Sequence, residues 1–248
     1  MNNIKLQNIE KIFIINLKRR PDRLEHFLKK KEYLPEFEIF EAIDGQQLKL
    51  DNTNNLLYFD NKILENHLIK KIKGLKVGEI GCFLSHYFIW KKIIELNKSC
   101  LIFEDDANPC NDFSNKLNNI LEKGTPDNFD ILWIGIRQHH VQNKIYNENI
   151  LPNKNKLVNQ HFYHYINTKN NPFYPYCYII SPNACKFLCN LFENTNKYFP
   201  AVDHFICSNL ENNYICINNS SPIFLCYANQ GDTDIQTFNN NIKNNKFL

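Results

Sequence analysis

The sequence predicts an α/β fold, and three observations carry that expectation. Short apolar runs such as "KIFIINL" (11–17) and "CLIF" (100–103) read as buried strands. Segments of helical period alternate with them, which is the pattern of a layered α/β domain. With 248 residues, 43% hydrophobic and 13% aromatic, the chain is long and apolar enough to bury one large core. One domain over 1–237 and a polar tail over 238–248 is the expected organisation.

The elements follow in order. After strand 11–17, "RPDRLEHFLKKKEYL" (20–34) reads as a helix opened by Pro21 in its first turn. "FEIFEAIDG" (37–45) alternates like a second strand and ends in a turn at Asp44-Gly45. Residues 46–76 are polar and Asn-rich, and read as a loop or insertion with one helix. In 78–96, Ile80, Phe83, Tyr87, Trp90 and Ile94 recur at spacings of three and four, which predicts an amphipathic helix leading into strand 100–103. A helix near 112–122, a strand over 130–136 and a strand over 175–181 come next. Ser181-Pro182 reads as a cap and first helical residue, a short helix lies near 203–210, and strands near 214–218 and 223–227 close the domain.

Charge and cysteine content narrow the function classes. Twenty-nine basic against 26 acidic side chains is too even a balance to argue for nucleic acid. Nine cysteines, an odd number with no CxxC pair and mostly inside apolar stretches, favour a reducing compartment. The first apolar run is too short for a signal sequence and no run approaches the roughly 20 residues of a membrane span. A soluble, cytoplasmic chain is expected, of a bacterium or of a large DNA virus in its host.

Ligands of open α/β sheets bind beyond the carboxyl ends of the strands, and candidate chemistry falls there. "LIFEDDANP" runs an apolar strand into Glu104, Asp105 and Asp106. Like charges in a row repel, so a cation, backbone donors or water must hold them. Two readings stand: a hard divalent ion bound through oxygen, or an acidic turn whose Asp caps the next helix. "NLKRRPDR" (16–23) sets Lys18, Arg19, Arg20 and Arg23 around a strand-to-helix turn, either a phosphate site or a solvated basic face. It has no Gly-rich loop. Asp203 in "PAVDHF" reads by itself as a helix cap, and His139-His140 read as loop residues without a metal-ligand spacing.

Taken as a series, "IFIINLKRRPDR", "EAIDG", "GEIGCFLSHYFIW", "LIFEDDA", "YPYCYIIS", "PAVDHF" and "GDTDIQT" resemble glycosyltransferase family 25 over nearly the whole chain. The resemblance implies a GT-A type nucleotide-diphospho-sugar transferase domain with a Rossmann-like mixed sheet. It also implies a UDP-sugar donor, a glycan or hydroxylated protein acceptor, Mn2+ or Mg2+, and inversion at the anomeric carbon. By the same resemblance Asn16, Leu17, Arg19 and Arg23 begin the nucleotide site, and Asp44 and Gly45 close the uridine pocket. Gly81, Cys82, Ser85 and His86 face the nucleotide. Glu104 to Asp106 stands where the family has DxD, with Glu in the first position. Glu104 and Asp105 are then implied to touch the donor, Glu104, Asp106 and the late Asp232 to hold the metal, and Asp203 to be the catalytic base. Asp234 has either a metal or an acceptor role.

Overall fold

Strand β1 (Lys11–Asn16) shows how the core is divided. Ile12 and Ile14 face one apolar cluster, while Phe13 and Ile15 face another on the opposite side. Strands β6 (Cys100–Glu104), β8 (Ile131–Trp133) and β12 (Cys177–Ile180) split their residues the same way. Each is therefore buried on both faces, which is why these strands read as unbroken apolar runs. The computed structural model describes residues 6, 8–51, 56–59, 62–64, 75–137, 156–164, 175–195, 199–218 and 224–228.

These strands form a mixed eight-stranded sheet with β2 (Glu38–Glu41), β10 (Lys156–Asn159), β11 (Phe162–His164) and β13 (Asn213–Cys216), ordered β10-β11-β13-β8-β12-β6-β1-β2. β1 pairs parallel with both β2 and β6, and β12 inserts antiparallel between β6 and β8. Helices α1 (Pro21–Leu28) and α3 (Phe113–Glu122) cover one face. Helices α2 (Val77–Leu96), α4 (Pro182–Asn194) and α5 (Val202–Asn209) cover the other. The fold class is thus the expected α/β layering around a large mixed sheet.

Three local expectations change. The run 130–136 is two strands, not one: β8 ends at Trp133, and β9 (Gly135–Arg137) joins β7 (Ala107–Pro109) and β14 (Cys226–Ala228) in a separate three-stranded sheet. At Gly135 a Cβ would sit 3.0 Å from Cys177 Cβ, so a side chain at the crossing would press on Cys177. Region 46–76 is not a plain loop: after a 3-10 turn (Gly45–Gln47) it holds a meander, β3 (Lys49–Asp51), β4 (Leu56–Phe59) and β5 (Lys62–Leu64), and residues 65–74, where the expected helix could fall, lie outside the described residues. Helix α2 is buried well beyond one stripe: Leu84, Ile89 and Ile93 are fully buried beside Phe83 and Trp90, and Ile94 is half-buried. The reason is that α2 lies between the sheet and two helices, with the Phe83 ring 4.9 Å from Phe192 of α4 and 5.1 Å from Phe205 of α5.

Candidate active site

The parallel strands β1 and β6 end side by side, with Ile15 opposite Glu104. From Glu104 the chain turns through Asp105 and Asp106 and leaves the main sheet for β7. Asp105 N donates to Ile15 O at 3.1 Å, which anchors the turn on β1.

The three carboxylates are held differently, although Asp105 and Asp106 share one guanidinium. Asp105 accepts from Asn16 Nδ2 at 2.7 Å and pairs with Arg23 at 2.7 Å. Burial still pushes its carboxyl up to about 6, against the pull of Arg23 and Asn16. Asp106 reaches the same guanidinium at 3.2 Å through Oδ2, while Oδ1 is buried and has no hydrogen-bond partner among the described residues. Burial, and then the Glu104 charge, push the Asp106 carboxyl well above its ordinary range. Glu104 Oε1 lies 3.0 Å from His86 Nε2 and 3.7 Å from Cys82 Sγ. Cys82, His86 and Glu104 present their ligand atoms within 4.8 Å of one another. The Cys82 thiol is pushed well above its ordinary value by burial, then by Glu104 and Asp203, so it is not a thiolate.

Asp203 sits in the first turn of α5, buried, its Oδ1 accepting from His204 N at 2.8 Å. Burial raises its carboxyl, and Glu104 adds to the rise, which places the two acids in one electrostatic neighbourhood. Phe205, two residues on, packs edge-on against Phe199 and, tilted, against Phe83, fixing α5 on the helix that carries Cys82 and His86.

The turn after β2 is interlocked with the start of α2. A Cβ on Gly45 would lie 1.8 Å from Val77 O, and one on Gly81 2.5 Å from Ile43 O. Ser85 Oγ donates to Gly81 O at 2.7 Å and accepts from Ile43 N at 2.8 Å. Gly45, Gly81 and Ser85 therefore have partners inside the protein and shape the wall of the site. Asp44 accepts from Arg19 Nε at 2.8 Å and from Gln46 N at 3.0 Å, and Leu17 O closes the turn by accepting from Arg20 N at 2.8 Å.

The structure thus brings Asn16, Arg23, Cys82, His86, Glu104, Asp105, Asp106 and Asp203 together, and places Arg19, Asp44, Gly45, Gly81 and Ser85 around the adjoining turn. Asp232, Asp234, His139 and His140 lie outside the described residues. Arg23, expected at the nucleotide, holds the acidic turn. Tyr178, which bonds His86, and Trp90, which donates to Tyr178, are not among the expected site residues. Their signal in the sequence is slight: a hydroxyl and an indole nitrogen inside otherwise apolar elements.

The model of a protein family, glycosyltransferase family 25 (LPS biosynthesis protein), matches residues 9–206. The chain belongs to glycosyltransferase family 25. Among curated relatives, procollagen galactosyltransferase 2 of Homo sapiens is 36% identical over 60% of this chain and 24% of its own length. The procollagen lysyl hydroxylase and glycosyltransferase of Acanthamoeba polyphaga mimivirus is 33% identical over 59% of this chain and 17% of its own. The inactive glycosyltransferase 25 family member 3 of Homo sapiens is 32% identical over 52% and 22%. The chain thus spans about a quarter or less of these family 25 relatives. No helix among its described residues is long and apolar enough to cross a membrane.

Proposed function

We propose that this family 25 chain transfers a hexose from a UDP-sugar to a hydroxyl of a glycan or protein acceptor, with inversion at the anomeric carbon, on a GT-A type domain. The observation that carries the reading is the buried Asp106 Oδ1, without a partner among the described residues, at the carboxyl ends of two parallel strands, beside Glu104 and the raised Asp203. A buried carboxylate oxygen without a donor is costly, and an oxygen-only cation site offsets that cost. Asp106 and Glu104 fit Mn2+ or Mg2+, and Asp232 is assigned to complete the set.

When bound, such a cation neutralises the departing diphosphate as a Lewis acid. The chain's own residues do the rest. Arg23 and Asn16 hold Asp105, and through it the turn, so that Asp106 does not move when charge develops. Asp203 accepts the proton of the acceptor hydroxyl, and its burial raises its proton affinity toward the working range of a base. Arg19 and Asp44 face the nucleoside side of the donor on the turn braced by Gly45, Gly81 and Ser85. Galactose is the sugar we favour, because relatives carry that activity in their names. Of the two sources expected, a bacterium or a large DNA virus in its host, the mimivirus relative supports the viral one, and we place the chain in the cytoplasm of that host.

The test is thermal stabilisation by UDP that depends on Mn2+, together with UDP release from a panel of UDP-sugars. Both are expected, and Asp203→Asn is expected to keep UDP binding while lowering turnover by about 10²- to 10⁴-fold. Release of inorganic phosphate instead of UDP would show a phosphohydrolase. Similarity to an inactive family member favours one second reading, a non-catalytic nucleotide- or glycan-binding module. UDP stabilisation without any UDP release from the panel would establish it.

A further inference from the structure

Glu104 ends a chain of hydrogen bonds that begins in the core. Trp90 Nε1 lies 3.2 Å from Tyr178 Oη, Tyr178 Oη lies 2.7 Å from His86 Nδ1, and His86 Nε2 lies 3.0 Å from Glu104 Oε1. Trp90, Tyr178 and His86 are fully buried, so no water supplies alternative partners.

The donor inventory gives every proton a place. An indole N–H can only donate, so the Tyr178 oxygen accepts from Trp90. The phenol has one hydrogen, and in a dry site that hydrogen needs an acceptor. Among the described residues His86 Nδ1 provides it. Nδ1 is then bare, Nε2 carries the ring proton, and that proton points at the Glu104 carboxylate.

The nearby Cys82, His86 and Glu104 atoms have the composition of a metal cluster, and the same proton inventory decides against it. Ligation through Nε2 would move the ring proton to Nδ1, aim two N–H donors at one phenol oxygen and leave the phenol hydrogen without an acceptor. In the core, where water cannot replace the missing partner, such a loss is strongly unfavourable. We propose that His86, held as the Nε2–H tautomer by Tyr178 and Trp90, is a positioning residue that fixes Glu104, and is not itself a metal ligand. The consequence for the cation rests on the proposed donor site, whereas the tautomer does not.

The experiment uses the full chain labelled with 15N-histidine, read by long-range 1H–15N correlation at neutral pH without metal. His86→Gln identifies the His86 signals among the eight histidines. The expected result is a protonated Nε2 and a bare, hydrogen-bonded Nδ1 whose resonance moves in Tyr178→Phe. A proton on Nδ1 in the wild type overturns the proposal, as does loss of the Nε2 proton on adding one equivalent of Zn2+. Mn2+ binding, followed by the electron paramagnetic resonance of the free ion, is expected to weaken on the order of tenfold in His86→Gln and about threefold in Tyr178→Phe. Unchanged binding in both variants overturns the positioning role. A wild type with the expected tautomer and no Mn2+ binding supports the hydrogen-bond chain and overturns the donor-site reading instead.

Discussion

Arg23 faces two acids at once: its guanidinium is 2.7 Å from Asp105 and 3.2 Å from Asp106, and all three side chains are largely buried. A buried pair is of modest net value when whole, but removing one partner leaves charge uncompensated. Arg23→Gln is therefore expected to destabilise the metal-free chain by about 3–5 kcal/mol, read from urea unfolding. Added Mn2+ is expected to recover part of that loss, because a cation replaces the missing positive charge beside Asp106. A variant as stable as the wild type would mean that Arg23 does not hold the acidic turn.

Among elements, the turn after β2 makes a very close approach to the start of α2. Ile43 O and Gly45 N lie 2.5 Å and 2.7 Å from where a Gly81 Cβ would stand, and backbone cannot swing aside as a side chain can. Gly81→Ala is expected to cost about 1–3 kcal/mol by overpacking and to weaken UDP binding, since the wall carrying Asp44 must shift. Differential scanning calorimetry with and without UDP measures both effects. A second junction ties three elements through Glu38 of β2, which pairs with Lys11 of β1 at 2.5 Å and with Lys92 of α2 at 2.9 Å. Hydrogen bonds from Lys11, then Lys92, hold the Glu38 carboxyl below its ordinary value of 4.5. A carboxyl lowered in the folded state contributes stability above its unfolded value, and that contribution is lost as pH falls through the lowered one. Glu38→Gln is thus expected to be less stable than the wild type near neutral pH. The difference is under about 1 kcal/mol because the pair is partly exposed, and it fades as pH falls through the lowered Glu38 value, below 4.5. A stability gap that widens with acidification would reverse that sign.

At the scale of the whole molecule, all nine cysteines are free thiols, and seven are buried. Burial raises Cys177, Cys185 and Cys216 far above the ordinary thiol value, so these groups behave as apolar filling. The melting temperature is expected to be the same with and without reductant, measured on freshly purified chain. A drop on reduction would mean that a disulfide forms in solution.

The central strands, the helix over 78–96 and the acidic turn were all legible in the amino-acid order, because a strand buried on both faces must be apolar throughout and a charge cluster at its end cannot hide. The motif series also carried the family. The split of 130–136 was not legible, because a change of sheet at Gly135 leaves the local pattern apolar. Nor were the partners within the site: that Arg23 also pairs with Asp105 and Asp106 shows only when β1 and β6 are seen to end side by side, and Tyr178 and Trp90 read as core until the phenol meets His86 and the indole meets the phenol. The sequence by itself determined which side chains are available at the strand ends and that their like charges need a counterpart. Only the tertiary structure decided that Arg23, Asn16 and His86 hold three of the four oxygens of Asp105 and Asp106 and one of Glu104, and that Asp106 Oδ1 has no donor among the described residues. The reason is physical: repulsion and desolvation depend on distance and burial, and residues 16, 23, 86 and 104–106 acquire both only when the sheet and α2 close around them.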